Sequence, residues 1–146
     1  MPECIFCRII KRESPASLVY EDAGCLAFMD IQPVNPGHVL IIPKKHAVLI
    51  SEMDTEEFAR LNSAAHKVAA AVRASGLRCE AVNLLLADGE AAGQEVFHVH
   101  VHVFPRFAGD GFGFRFGPEY AHLPGRRILD EQAERIRAAF PPDRPR

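Results

Sequence analysis

Apolar residues recur along the chain with two different periods, and the switches between them mark out the elements. Leu18-Val19-Tyr20 and Cys25–Met29 read as short strands joined by a turn at Glu21-Asp22-Ala23-Gly24. After the turn-forming run Gln32–Gly37, the stretch His38–Ile42 is almost continuously apolar and stops at Pro43, which predicts a central strand covered on both faces. The period then lengthens. Phe58, Leu61, Ala65, Val68 and Val72 fall on one face of a helix, Asp54-Thr55-Glu56-Glu57 offers a capping-box start, and Gly76 is a natural C-terminal stop. Ala81–Leu86 and Val96–Phe104 predict two further strands, the second one long, on either side of a two-glycine loop at Asp88–Gln94. A short helix over Leu129–Phe140 completes the pattern. Strands outnumber helices and the connections are short. The expected class is therefore α+β, an antiparallel five-stranded sheet with one long packed helix and a short C-terminal helix.

Composition narrows the function classes. The 146 residues suit one domain, and 48% hydrophobic with 25% charged residues is ordinary globular usage. A net charge of −2 gives no basic field to hold nucleic acid by its backbone. No apolar run approaches the ~20 residues of a membrane helix. The opening MPECIFCRII lacks the apolar stretch and cleavage site of a secretory signal, so a cytoplasmic protein with free thiols is expected. The C-x-x-C pair Cys4/Cys7 then reads as half a zinc site or as a redox pair.

The most informative passage is His98-Val99-His100-Val101-His102-Val103-Phe104. Alternation on a strand puts three imidazoles on one face and three valines on the other. A merely solvated face rarely repeats histidine in this way, and histidine is the side chain whose ordinary pKa, ~6.5, lies nearest neutrality. The spacing suits metal ligation, and it equally suits a nucleophilic imidazole with two helpers.

This passage resembles the signature of the histidine triad (HIT) family of nucleotide hydrolases and transferases, and the resemblance does not stop there. Cys4-Ile-Phe-Cys7-Arg-Ile-Ile10 is similar to the family's opening, and Ala27–Ile31 to its nucleoside-pocket strand. Gly37–His46 is similar to its G-H-φ-L-φ-φ-P-K-x-H segment (φ apolar), and Gly89–Gln94 to the loop before the triad. The likeness spans residues 4 to 110 in order. Residues 111–146 carry no such signal and are expected to be a variable extension of a single HIT-like domain covering residues 1–146.

The resemblance implies roles. His100 matches the histidine that attacks the α-phosphorus of a nucleotide, giving a nucleotidyl-histidine that water hydrolyses. His102 and His38 match residues that neutralise charge on the phosphoryl oxygens. Gln94 matches a phosphate contact. Asp30 matches the acceptor of the ribose hydroxyls, and Phe6, Ile9, Phe28, Ile31 and Leu40 match the apolar slot around the base. Arg106 matches an arginine of the dinucleoside-polyphosphate-cleaving branch and could hold a distal phosphate. Ala87 and Glu95 depart from the pattern, standing where relatives often carry Asn and Ser or Thr; an ionised Glu95 cannot donate to the phosphate as a hydroxyl would, so this nucleotide-site candidate is expected either to point away or to act on water or an amine leaving group. Cys4, Cys7, His46 and His98 match a Cys₂His₂ structural zinc site found in bacterial members. The implied substrates are AMP-containing, either dinucleoside polyphosphates or nucleoside phosphoramidates, and the implied assembly is a homodimer with no membrane or nucleic-acid partner. Two other readings stand beside this one: a nucleotide-sensing module with little catalysis, and a metallohydrolase that uses all three triad imidazoles.

Overall fold

In the computed structural model, residues 3–142 are described. They divide at Phe112/Gly113 into two compact units. The first unit runs α1 (Ile5–Ile10), β1 (Leu18–Glu21), β2 (Cys25–Met29), β3 (Val39–Pro43), a 3₁₀ turn (Ile50–Glu52), α2 (Thr55–Ala74), β4 (Ala81–Leu86), a second 3₁₀ turn (Glu90–Ala92) and β5 (Val101–Arg106). The second holds a 3₁₀ turn (Pro118–Ala121) and α3 (Arg126–Ala138). The described α3 begins three residues before the predicted helix and ends two before it. Among the described residues, no helix is long and apolar enough to cross a membrane.

The five strands form one antiparallel sheet in the order β1-β2-β3-β5-β4. Its centre is apolar on both faces, and the pleat sorts the residues. Cys25, Ala27, Val39, Ile41, Val101 and Val103 join Leu61, Ala64, Ala65, Val68 and Val72 of α2 in one core. The intervening residues Leu26, Phe28, Leu40 and Ile42 pack with Phe6 and Ile9 of α1 in a second core. This two-sided burial is why β3 reads as a continuous apolar run.

Helix α2 starts as its sequence dictates. Asp54 accepts from the Glu57 backbone N–H at 2.8 Å, and the Glu57 carboxylate accepts from the Asp54 backbone N–H at 3.0 Å. Gly76, just past its end, has φ of +84°.

Two expectations change. Residues 5–10 form a helix that periodicity misses, because six residues hold too few turns for a 3.6-residue pattern to show. The predicted strand Val96–Phe104 is regular only from Val101, where the ladders to Ile41 and Leu86 begin. Residues 96–100 are irregular: the Val99 N–H donates to the Ala47 carbonyl at 2.8 Å, outside any strand, and the His98 N–H to Val96 at 2.9 Å. The alternation of residues 98–103 survives this, so the valines still enter the α2 core and the imidazoles face the other way.

Candidate active site

Cross-strand pairing builds the floor. Phe28 pairs with Leu40, Leu40 with His102, and His102 with Leu85, which makes one row of side chains across four strands. All four line a cavity of about 670 Å³, together with Phe6 and Ile9 of α1 and with His38, Asp30, Ile31, Glu95 and His100. The structure thus brings together ten of the twelve predicted catalytic and nucleotide-binding residues. Ile31 is fully exposed and forms part of the rim rather than an enclosed wall.

Each imidazole is held in a defined tautomer. His100 is 6% exposed, and its Nδ1–H donates to the His98 carbonyl at 2.7 Å. That leaves the Nε2 lone pair free, as a nucleophile requires. His38 accepts at Nδ1 from the Val34 backbone N–H at 2.9 Å, so its proton sits on Nε2 and is donated to His102 Nδ1 at 2.9 Å. His102 must then carry its own proton on Nε2. An Asp30 carboxylate oxygen lies 3.5 Å from His38 Nε2. Burial pushes His38 below its ordinary value and His102 down to about 4, so both rings are neutral at pH 7.

Asp30, His38 and His102 also bring three ligand-type atoms close together. The hydrogen-bond order argues against a metal there. With Nδ1 occupied by the Val34 N–H, His38 could ligate through Nε2 only as an imidazolate. The cluster is better described as an oriented chain of donors.

The turn that delivers His38 depends on Gly37, whose φ is +102°. A Cβ there would lie 3.0 Å from Leu77 Cδ1 and 3.2 Å from Pro105 Cγ.

His98 faces elsewhere. Its Nε2–H donates to the Pro43 carbonyl at 2.8 Å, leaving the Nδ1 lone pair directed at Cys4, Cys7 and His46. His98 Nδ1 lies 3.5 Å from Cys4 Sγ, 3.7 Å from Cys7 Sγ and 3.1 Å from His46 Nδ1, and Cys7 Sγ lies 3.3 Å from His46 Nδ1. Bonds of ~2.0–2.1 Å to nitrogen and ~2.3 Å to sulfur give a zinc tetrahedron edges of roughly 3.3–3.8 Å. The donor set and its spacing therefore fit zinc. The metallohydrolase reading does not fit, because the three triad rings share no metal position: His98 belongs to the cysteine cluster. Cys4 is the N-cap residue of α1, so the C-x-x-C pair opens a helix of six residues.

Two predicted ligands are used differently. Gln94 is buried and is not among the cavity's lining residues. Its amide donates to the carbonyls of Val48 (2.8 Å) and Val96 (3.2 Å) and accepts from the Gly89 N–H (2.8 Å). Arg106 likewise lies off the cavity. It donates to Asp110 at 2.6 and 3.1 Å, to the Asn83 side chain at 2.7 Å and to the Phe112 carbonyl at 2.8 Å. The guanidinium holds the Asp110 carboxyl far below the usual carboxylate range, with help from Asn35 and two backbone N–H groups. Sequence reasoning missed Leu85, Val96 and Phe112, which also line the cavity. Leu85 follows only from the register that sets it beside His102.

The HIT domain sequence model matches residues 11–109. The chain belongs to the HIT family. A HIT-family crystal structure from Bacillus subtilis is 36% identical to this HIT protein, superposes with a TM-score of 0.88, and is matched over 97% of this chain and 99% of its own. A zinc-bound histidine triad family protein from Mycobacterium smegmatis is 37% identical with a TM-score of 0.73, over 94% of this chain and 98% of its own. Adenylylsulfatase HINT3 of Arabidopsis thaliana is 42% identical over 105 residues, 71% of this HIT chain and 52% of that protein.

Proposed function

We propose that this HIT protein is a nucleotide hydrolase or nucleotidyl transferase acting at the α-phosphate of AMP-containing substrates. The observation that carries this reading is the His100 tautomer, fixed by the His98 carbonyl with its Nε2 lone pair available in a nucleotide-sized cavity. The Nε2 lone pair forms a bond to phosphorus, and the leaving group departs with the electron pair of the bond that breaks. Water then attacks the nucleotidyl-His100 and releases the nucleotide. The Nε2–H of His102, aligned through His38 and the Val34 N–H, serves as a preorganised donor to the phosphoryl oxygens. Phe6, Ile9, Phe28 and Leu40 hold the base, and Asp30 accepts from the ribose hydroxyls. The hydrolase name of the Arabidopsis relative supports the reaction class.

Cys4, Cys7, His46 and His98 would hold a structural zinc ion, which would tie α1 to the end of β3 and to the triad segment. The zinc-bound mycobacterial relative supports this. A cytoplasmic location, where the four cysteines stay reduced, completes this reading. A homodimer would cover the edge strand β4, which leaves Leu84 exposed.

The test is His100→Ala. The variant should lose turnover of an adenosine phosphoramidate and of diadenosine tetraphosphate while still binding AMP. Wild-type turnover in this variant rejects the role of His100. Tight AMP binding by a wild type that releases no product even in single-turnover assays would favour the sensing module.

A further inference from the structure

The cavity around His100 has an unusual charge balance for a phosphate site. Among the described residues lining it there is no lysine or arginine, and the two ionisable side chains besides histidine are carboxylates, Asp30 and Glu95. Of the cations near the site in sequence, Lys44 pairs with Glu21 at 2.8 Å, Lys45 with Glu57 at 3.0 Å, and Arg106 is held by Asp110 and Asn83. His102 and His38 do not replace them, since burial lowers both below the ordinary imidazole value. The position of Glu95 is set by its neighbour. The three backbone hydrogen bonds of Gln94 fix the loop so that residue 95 is an exposed part of the cavity lining.

Resting on the nucleotidyl-transfer reading above, we infer that Glu95 is a specificity-determining residue that turns away polyanionic leaving groups and favours substrates whose α-phosphorus carries an amine. A nucleoside phosphoramidate keeps its negative charge on the α-phosphate alone, whereas a polyphosphate adds charge with each further phosphate. In the favoured transfer, the P–Nε2 bond to His100 forms and the P–N bond to the leaving amine breaks. The amine nitrogen keeps the electron pair, takes up protons from solvent and leaves as an ammonium ion, the charge a carboxylate attracts. Water then cleaves the P–Nε2 bond and gives the nucleoside monophosphate. A carboxylate in the wall of a partly screened cavity is worth roughly three- to tenfold for each charge added to the ligand at low salt.

The experiment compares wild type, Glu95→Gln and Glu95→Lys on an adenosine phosphoramidate and on diadenosine tetraphosphate. A second arm titrates AMP, ADP and ATP into His100→Ala and His100→Ala/Glu95→Gln by calorimetry. The wild-type preference for the amidate, as a ratio of kcat/KM values, should fall about three- to tenfold in Glu95→Gln and further in Glu95→Lys, chiefly by faster polyphosphate cleavage. Affinity should fall from AMP to ATP in His100→Ala, and this slope should flatten when Glu95→Gln is added. Ratios and slopes unchanged within twofold in these variants overturn the inference, and so does a wild type that prefers the polyphosphate. The binding arm needs no turnover, so a failure of the His100 chemistry is read separately from a failure of the charge filter.

Discussion

Gln94 gives the sharpest contrast between what family likeness implies and what the fold does with a residue. Likeness makes it a phosphate contact, whereas the structure spends its amide on Val48, Val96 and Gly89. Replacing it with Ala, or with Met to keep the length, removes all three hydrogen bonds. The side chain is 3% exposed, so water replaces them poorly. At a net ~0.5–1.5 kcal/mol for each bond, with some backbone groups left unpaired, the loss comes to about 2–4 kcal/mol. For a chain of this size that is a fall in Tm of roughly 5–12 °C. Urea unfolding followed by circular dichroism measures the first quantity and thermal melts the second, while AMP titration of the folded variants supplies the comparison. The expected outcome is a lower urea midpoint with AMP affinity changed less than about threefold at a temperature where each variant is folded. Stability within ~0.5 kcal/mol of wild type together with a tenfold drop in AMP affinity would refute a purely structural role for Gln94. That result would mean the amide reaches a ligand after all.

Two further outcomes are expected. Protein purified without chelators should contain zinc bound to the Cys4/Cys7/His46/His98 cluster, and Cys7→Ser should lose that zinc along with about 3–4 kcal/mol of the stability seen when zinc exceeds its dissociation constant 100- to 1,000-fold. Metal analysis showing no zinc in folded wild type would refute the site. Stability should also depend on pH through His102. Burial lowers the folded value to about 4 from an ordinary value of 6.5, so between these pH values the unfolded chain takes up a proton that the folded chain does not. The contribution is full above pH 6.5 and is lost as pH falls toward 4. His102→Gln should have a shallower slope in this window in urea titrations, and an unchanged slope contradicts the account.

Much of this site was legible because alternation and register are local, periodic signals. The valines of residues 99–103 declared their core face, and the imidazoles beside them declared the other. The Asp54 capping box and Gly76 bounded α2 within a residue or so. What stayed hidden depended on pairings distant in sequence or on segments too short to repeat. Arg106 looked like a free cation because two of its partners, Asp110 and the Phe112 carbonyl, reach it only through the turn that follows β5, and the third, Asn83, comes from the neighbouring strand β4. The irregular residues 96–100 read as strand because their composition is strand-like, while their backbone partners, such as Ala47, come from a loop. Helix α1 is held by packing of Phe6 and Ile9 under the sheet, a tertiary cause with no periodic trace.

The row that runs from Phe28 through Leu40 and His102 to Leu85 joins folding and chemistry in one alignment. If β5 slid past β3 by a single residue, Val101 or Val103 would take the place of His102 over the cavity, and an imidazole would be thrust among the alanines and valines beneath α2. Misalignment is thus penalised twice, by a polar ring stranded in oil and by a disarmed pocket. Selection for a dry interior guards the reactive face at the same time, so the chain has little room to keep its stability while losing its chemistry through strand slippage.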